Sequence, residues 1–77
     1  MTIDEFMRDI APKMKKGFVF YDWMGEWQFC SERPIWDDEQ GWWIMQEDGA
    51  NFLSLIMFEI DRYDGYDDKK SLMEVGK

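Results

Sequence analysis

Few side chains in this sequence have the chemistry that catalysis needs. Histidine is absent, so the usual general base and the commonest metal ligand are missing. Cys30 therefore has no imidazole to activate it, and a lone cysteine among aromatic strand residues is typically a small core residue. The serines have no base beside them in any recognised pattern, and the six glycines are scattered rather than grouped in a phosphate-binding loop. We therefore expect a protein that is not an enzyme and that uses no cofactor and no metal.

One segment, residues 61–68, resembles a calcium-binding loop because four aspartates surround a glycine there. An EF-hand loop needs a glycine at its sixth position, an acidic ligand at its first and a glutamate at its twelfth. If Gly65 takes the sixth position, Ile60 stands first and Ser71 stands last. Neither side chain is a carboxylate, so the register argues against calcium.

The carboxylates are concentrated in the second half of the chain. The net charge is −8, and residues 34–77 hold eleven acids against four bases, whereas residues 1–33 hold six against five. A solvated surface that keeps the protein soluble is one explanation. The other is imitation of phosphates, because carboxylate oxygens accept hydrogen bonds from the same Arg and Lys donors. The acids that we predict to contact a partner are Asp37, Asp38, Glu39, Glu47, Asp48, Asp61, Asp64, Asp67 and Asp68.

The tryptophans give a second indication of a binding surface. All five fall in the region that we predict to be a sheet. Trp42 and Trp43 are adjacent, so on a strand they point to opposite faces. A sheet covered on one face cannot bury both, unless loops or a helix cover the second face. We predict that Trp36 or Trp42 is an aromatic anchor for a partner.

The elements that would position these residues begin with a helix. Thr2 and Glu5 form the capping-box pattern, and apolar residues then recur at spacings of three and four. This pattern predicts a helix over residues 3–15, in which Pro12 should cause a kink or a break near Ile10.

The middle of the chain predicts antiparallel strands. Aromatic and β-branched residues favour strands at 18–23 and 26–31, with a turn at Met24-Gly25. A second hairpin runs from Ile35 through a loop at 37–41 to a strand at 42–46.

Residues 50–62 show both helical and strand periodicity, and their length favours a helix. A short helical turn follows at 71–75. We predict an α+β fold, a three- to four-stranded antiparallel sheet with an N-terminal and a C-terminal helix on one face, as a single small acidic domain over 1–77.

Composition narrows the class and the compartment. Aromatic residues make up 18% of the chain, far above what a disordered acidic tail contains. A single cysteine allows no disulfide within the chain, and acids stand where a secretory signal would be basic. No apolar stretch approaches the ~20 residues that a membrane span requires. We expect a cytoplasmic protein that binds no membrane, and no nucleic acid directly because phosphates repel its charge.

A compact, strongly acidic, histidine-free and aromatic-rich α+β chain resembles the phage-encoded anti-CRISPR proteins. The resemblance lies in size, charge and composition over the whole chain rather than in a motif, so it implies no residue roles. It implies an inhibitor, acting in the host cytoplasm, that occupies a basic nucleic-acid-binding surface of a CRISPR effector or another nuclease. Immunity proteins and antitoxins against basic nuclease toxins share this profile. From a different class, a structural or assembly protein that self-associates through an aromatic sheet face, for example as a homodimer, remains open.

Overall fold

The computed structural model describes residues 1–45, 52–65 and 67–76. Within these residues the chain forms one α-helix, six short strands and three 3₁₀ helices. The α-helix and strands are α1 (Ile3–Asp9), β1 (Gly17–Tyr21), β2 (Trp27–Cys30), β3 (Ile35–Asp37), β4 (Trp42–Ile44), β5 (Leu53–Ser54) and β6 (Met73–Val75). The 3₁₀ helices are Ala11–Lys13, Ile56–Phe58 and Asp68–Ser71. The fold is α+β, as the sequence predicts.

The capping box that starts α1 is formed in full. The hydroxyl of Thr2 accepts a hydrogen bond from the backbone N–H of Glu5, and the Glu5 carboxylate accepts one from the backbone N–H of Thr2, both at 3.0 Å. The helix is shorter than the predicted 3–15, since it ends at Asp9 and continues as a 3₁₀ helix that contains Pro12. Proline cannot supply the N–H that an α-helix needs at this position, which explains the predicted break near Ile10.

Four strands form an antiparallel sheet in the order β5-β2-β1-β6. Val19 at the middle of β1 pairs with Phe29 of β2 on one side and with Met73 of β6 on the other. The strands β1 and β2 are shorter than the predicted 18–23 and 26–31 because residues 22–26 form the connecting turn. There the Asp22 N–H donates to the Glu26 carbonyl, and Gly25 adopts a φ of +83°, a conformation that glycine tolerates without strain.

Both faces of this sheet are covered. On one face α1 and the segment after β5 enclose a core whose fully buried members include Phe6, Val19 and Leu55. On the other face the β3–β4 hairpin encloses a second core around Phe20, Cys30 and Trp43.

The β3–β4 hairpin, which covers the second face of the sheet, explains how the adjacent Trp42 and Trp43 are accommodated. Trp36 pairs with Trp43 across the hairpin, so both side chains share one of its faces, while Trp42 lies on the opposite face. Trp43 is buried against Phe20, with ring centroids 5.9 Å apart. Trp42 is left at the surface.

The predicted helix at 50–62 is wrong in the residues that the structure describes. Residues 50 and 51 lie outside the described residues, and 52–62 contain β5 and the 3₁₀ helix Ile56–Phe58. The physical reason is the edge of β2, whose backbone groups are paired by β5 and then by the Leu55 N–H, which donates to the Trp27 carbonyl at 2.9 Å. This extended path buries Leu55 and leaves Ile56 exposed, so pairing with the β2 edge decides the local structure, and neither apolar periodicity of the segment predicts it.

Two smaller predictions are also corrected. The tail predicted as a helical turn at 71–75 instead forms β6 (Met73–Val75), which pairs with β1. The strand predicted at 42–46 ends at Ile44, and residue 46 lies outside the described residues.

Candidate functional site

Two tryptophans from different hairpins stack at the protein surface. Trp23 lies in the β1–β2 turn, Trp42 begins β4, and their ring centroids are 5.4 Å apart with planes inclined at 35°. Trp23 remains 63% exposed in spite of this contact, whereas Trp42 is partly buried. A large exposed indole held in a fixed position is typical of a protein interface rather than of a core.

The carboxylate of Asp22 holds the backbone of the turn that carries Trp23. One oxygen accepts hydrogen bonds from the backbone N–H groups of Met24 and Glu26, at 3.0 and 2.9 Å, and the other accepts one from the Gln28 amide at 2.8 Å. Aspartate favours the start of such turns because its side chain can replace a backbone acceptor. The turn is therefore ordered, and Trp23 projects from it.

The second hairpin has a turn of the same design. Asp37 Oδ1 accepts hydrogen bonds from the N–H groups of Glu39 and Gln40, and Gly41 closes the turn with a φ of +76° and a hydrogen bond to the Asp37 carbonyl. Asp37 is thus engaged in turn structure. Asp38 and Glu39 project from the tip and are exposed.

The 3₁₀ helix Asp68–Ser71 ties the two sheets together. Its Asp68 carbonyl accepts hydrogen bonds from the Ser71 hydroxyl at 2.6 Å and from the Trp43 indole N–H at 3.2 Å. The same hydroxyl of Ser71 accepts the Tyr21 N–H at 2.9 Å. Hydrogen bonds therefore link β1, this 3₁₀ helix and β4 in one network.

The hairpin tip forms an ion pair with this 3₁₀ helix, although the two segments are far apart in sequence. Asp38 at the hairpin tip lies 3.9 Å from the Lys69 ammonium, next to Asp68. A groove beside Trp23 is bordered by Asp22, Arg62, Tyr63 and Asp68, so one basic side chain lies among its acidic ones. We call the surface formed by Trp23, Trp42, Asp37, Asp38 and Asp68 the tryptophan surface.

The structure places the other predicted site residues elsewhere. Asp61 and Asp64 line a separate cavity of about 390 Å³ that is also bordered by Asp4, Arg62 and Lys70, so its charge is mixed. Asp67 caps the 3₁₀ helix by accepting the Lys69 N–H at 3.1 Å.

The predicted site residues that remain are Glu47, Asp48 and Trp36. Glu47 and Asp48 lie outside the described residues. Trp36 packs edge-on against Trp43 with centroids 5.2 Å apart, so it is turned toward the second core rather than away from it.

Sequence reasoning missed Trp23 as a site residue because it was assigned to a strand. The available signal was its position between Asp22 and Gly25, since the residues between a turn-forming aspartate and a turn glycine point away from the sheet.

Cys30 has the environment of a structural thiol. It is 1% exposed, and its sulfur donates to the Glu32 carbonyl at 3.0 Å. Burial, with a smaller contribution from the Glu32 charge, raises the pKa of the Cys30 thiol to about 11. The thiol is therefore protonated and unreactive at neutral pH.

The described part of the chain contains neither a metal-binding cluster nor a helix that could span a membrane. Across residues 1–45, 52–65 and 67–76, no three acidic or cysteine side chains are arranged to hold a metal ion. No helix in these same ranges is long and apolar enough to pass through a lipid bilayer.

Comparisons with known proteins identify no relative of this chain. No protein-family model matches the sequence, and neither the curated proteins nor the solved structures gave a significant match.

Proposed function

We propose that this protein is a non-catalytic inhibitor whose tryptophan surface occupies a basic, nucleic-acid-binding surface of a partner protein, such as a CRISPR effector or another nuclease. The observation that carries the proposal is the exposed stack of Trp23 on Trp42 beside the carboxylates of the β3–β4 tip and of Asp68. A nuclease toxin would be bound in the same way by an immunity protein or antitoxin.

The tryptophan pair would supply most of the affinity. An aromatic side chain buries about 150–250 Å² in an interface. Residues of this kind at the centre of an interface typically cost about 2 kcal/mol or more when truncated, particularly where surrounding contacts exclude water. The Asp22 turn orders the backbone around Trp23, and the contact with Trp42 restrains its ring, so binding costs less entropy than it would for an unrestrained side chain.

The carboxylates would select a basic partner. The net charge of −8 steers the protein toward positive surfaces, and exposed carboxylates near an indole offer an arginine both a salt-bridge acceptor and an aromatic face. Arginines and lysines that bind nucleic-acid phosphates can donate hydrogen bonds to carboxylates in the same way. Free nucleic acid is disfavoured as a ligand by its own charge.

Self-association is the second candidate, and one observation favours it. Ile35 and Ile44 pair across the outer face of the β3–β4 hairpin, on the same face as Trp42, and both are exposed. An apolar hairpin face of this kind can pair with a second copy. Salt separates the two candidates, because steering by carboxylates weakens as the ionic strength rises and apolar association does not.

Affinity capture with matched variants tests the proposal. Wild-type protein, Trp23→Ala and Met24→Ala are used to capture proteins from a lysate that contains CRISPR effectors or nuclease toxins. Met24 is a neighbouring turn residue with an exposure of 66%, so it controls for the loss of an exposed apolar side chain without removing the stack. We expect wild type and Met24→Ala to retain a basic nucleic-acid-binding protein, identified by mass, that Trp23→Ala loses. Retention of that protein by all three variants would contradict the proposal, as would capture of this chain alone.

A further inference from the structure

A second apolar surface lies at the β5 edge of the sheet. Leu53 is 55% exposed, and Ile56 and Met57 are each 66% exposed. We call these three side chains the β5 ridge. They project outward because Leu55, between them, is fully buried and holds the segment against the sheet. Three large exposed apolar side chains within five residues are more than the scattered surface hydrophobes of an ordinary soluble protein.

A small notch adjoins the ridge. Its volume is about 110 Å³, and it is bordered by Ile56 and by apolar atoms of Leu55 and Ile60, with Glu26 and Glu59 also in its wall. Glu59 is the single non-glycine residue with a positive φ among the described residues, at φ 49° and ψ 48°. Its N–H donates to the Ile56 carbonyl at 3.0 Å, which ends the 3₁₀ helix and fixes the backbone at the notch. The notch therefore combines an apolar wall with two carboxylates.

Among the residues that the structure describes, β5 forms the edge of the sheet on this side. β5 stands at the end of the strand order and pairs with β2 alone among the described strands. An edge strand with an unpaired side can accept an extended segment of another chain, with side-chain pockets supplying specificity.

We propose that the β5 ridge and its notch bind an extended segment of a partner protein in which an aliphatic side chain and a lysine or arginine stand two residues apart and so share one face. The aliphatic side chain enters the notch beside Ile56, and the basic side chain meets Glu26 and Glu59. Charge complementarity selects this occupant over a second copy of the chain, because self-pairing would bring the same glutamates and two net charges of −8 together.

This surface is distinct from the tryptophan surface and goes beyond the proposed function. The β1–β2 turn separates the notch from the groove beside Trp23, and Gly25 borders both. A partner could engage one surface without the other.

The test is an NMR titration of the ¹⁵N-labelled full chain with an acetylated peptide in which lysine and leucine stand two residues apart with serine between them, called the lysine–leucine peptide. Two control peptides replace lysine by glutamate or leucine by serine. We expect the lysine–leucine peptide to shift amide signals of Leu53, Ile56, Met57 and Glu59, and neither control peptide to do so.

Variants locate and characterise the interaction. The double change Ile56→Ser with Met57→Ser should weaken binding of the lysine–leucine peptide by at least about tenfold, since it removes two of the three ridge side chains. The change Glu26→Gln with Glu59→Gln should weaken it and reduce its salt dependence. Ile35→Ser with Ile44→Ser is the matched control, because it removes an exposed apolar pair from the outer face of the other hairpin and should leave binding unchanged.

Four results would overturn the inference. They are no binding of the lysine–leucine peptide, equal binding of either control peptide, shifts confined to Trp23 and Trp42, and dimerisation of the free chain that the Ile56→Ser/Met57→Ser change abolishes. The last result would assign the ridge to a second copy. None of them bears on the Trp23→Ala capture experiment, so the two proposals fail separately.

Discussion

Trp23 and Trp42 lie on different hairpins, yet their rings stack with centroids 5.4 Å apart. The β1–β2 turn belongs to the four-stranded sheet, and β4 belongs to the two-stranded ribbon that covers it. The pair therefore forms only when the ribbon is docked on the sheet, and the same docking brings the Asp37–Glu39 tip next to Asp68. One packing event therefore assembles the two tryptophans and places the hairpin tip beside the 3₁₀ helix that contains Asp68.

The first prediction concerns the exposed indole. Trp23→Ala should lower the affinity for the captured partner by about 2 kcal/mol, or roughly thirtyfold. The free energy of unfolding should change by less than about 0.5 kcal/mol, because most of this side chain is in water. Calorimetric titration and urea denaturation measure the two quantities. A large loss of stability with unchanged affinity would make Trp23 a packing residue instead.

The second prediction separates the effect of the charges at the β3–β4 tip from the effect of the net charge. Asp38→Lys with Glu39→Lys should slow association and flatten its dependence on salt, because these two carboxylates project from the hairpin tip. Asp37 is kept, since its carboxylate holds the turn through two backbone N–H groups.

The control for this charge reversal is Glu32→Lys with Glu74→Lys, which makes the same change in net charge at exposed positions elsewhere. Stopped-flow association rates over a series of salt concentrations measure the effect. Equal slowing by both pairs would show that net charge, rather than the tip, guides the encounter.

The third prediction concerns the buried link between the two sheets. Ser71→Ala should destabilise the fold by about 1–3 kcal/mol, because the buried N–H of Tyr21 loses its acceptor. Ser54→Ala is the control, since the Ser54 hydroxyl accepts a weaker, exposed hydrogen bond from Ile56 at 3.3 Å. Chemical denaturation should show a clearly larger loss for Ser71→Ala, and equal losses would contradict the role given to this hydroxyl.

The fourth prediction is a pH dependence carried by Cys30. The folded state raises the pKa of this thiol from its ordinary 9.0 to about 11, so the unfolded chain ionises first as pH rises. The contribution to stability is complete below pH 9 and is lost between pH 9 and pH 11. Cys30→Ser should therefore lose less stability than wild type over this interval, and the comparison of the two proteins isolates the contribution of the thiol. Denaturation curves that stay parallel from pH 8 to pH 11 would refute the prediction.

At neutral pH the same variant tests the absence of thiol chemistry. Serine can donate to the Glu32 carbonyl as cysteine does, so Cys30→Ser should bind the partner normally after a modest loss of stability. Loss of function in a folded Cys30→Ser protein would indicate that the thiol acts chemically.

The parts of the fold that depend on neighbouring residues could be read from the sequence. The Thr2–Glu5 box and Pro12 act within one or two helical turns, so they set the start and the break of the N-terminal helix. The aromatic strands β1 and β2 and their turn are local in the same sense.

The other parts of the fold and of the candidate site depend on tertiary contacts, which the sequence pattern does not show. Whether residues 52–62 form a helix or an edge strand is decided by the open side of β2 and by the burial of Leu55, which periodicity does not contain. The approach of Asp38 to Lys69 likewise depends on how the ribbon crosses the sheet. The predicted contacts of Glu47 and Asp48 remain predictions, because both lie outside the described residues.

Displacement of nucleic acid from the captured partner tests the central claim most directly. The partner is loaded with a fluorescently labelled oligonucleotide, and wild-type protein, Trp23→Ala and Met24→Ala are titrated against it while anisotropy is recorded. We expect wild type and Met24→Ala to release the oligonucleotide, and Trp23→Ala to require roughly thirtyfold more protein for the same release. Simultaneous binding of the oligonucleotide and this protein to the partner, or equal displacement by Trp23→Ala, would contradict the proposed inhibition.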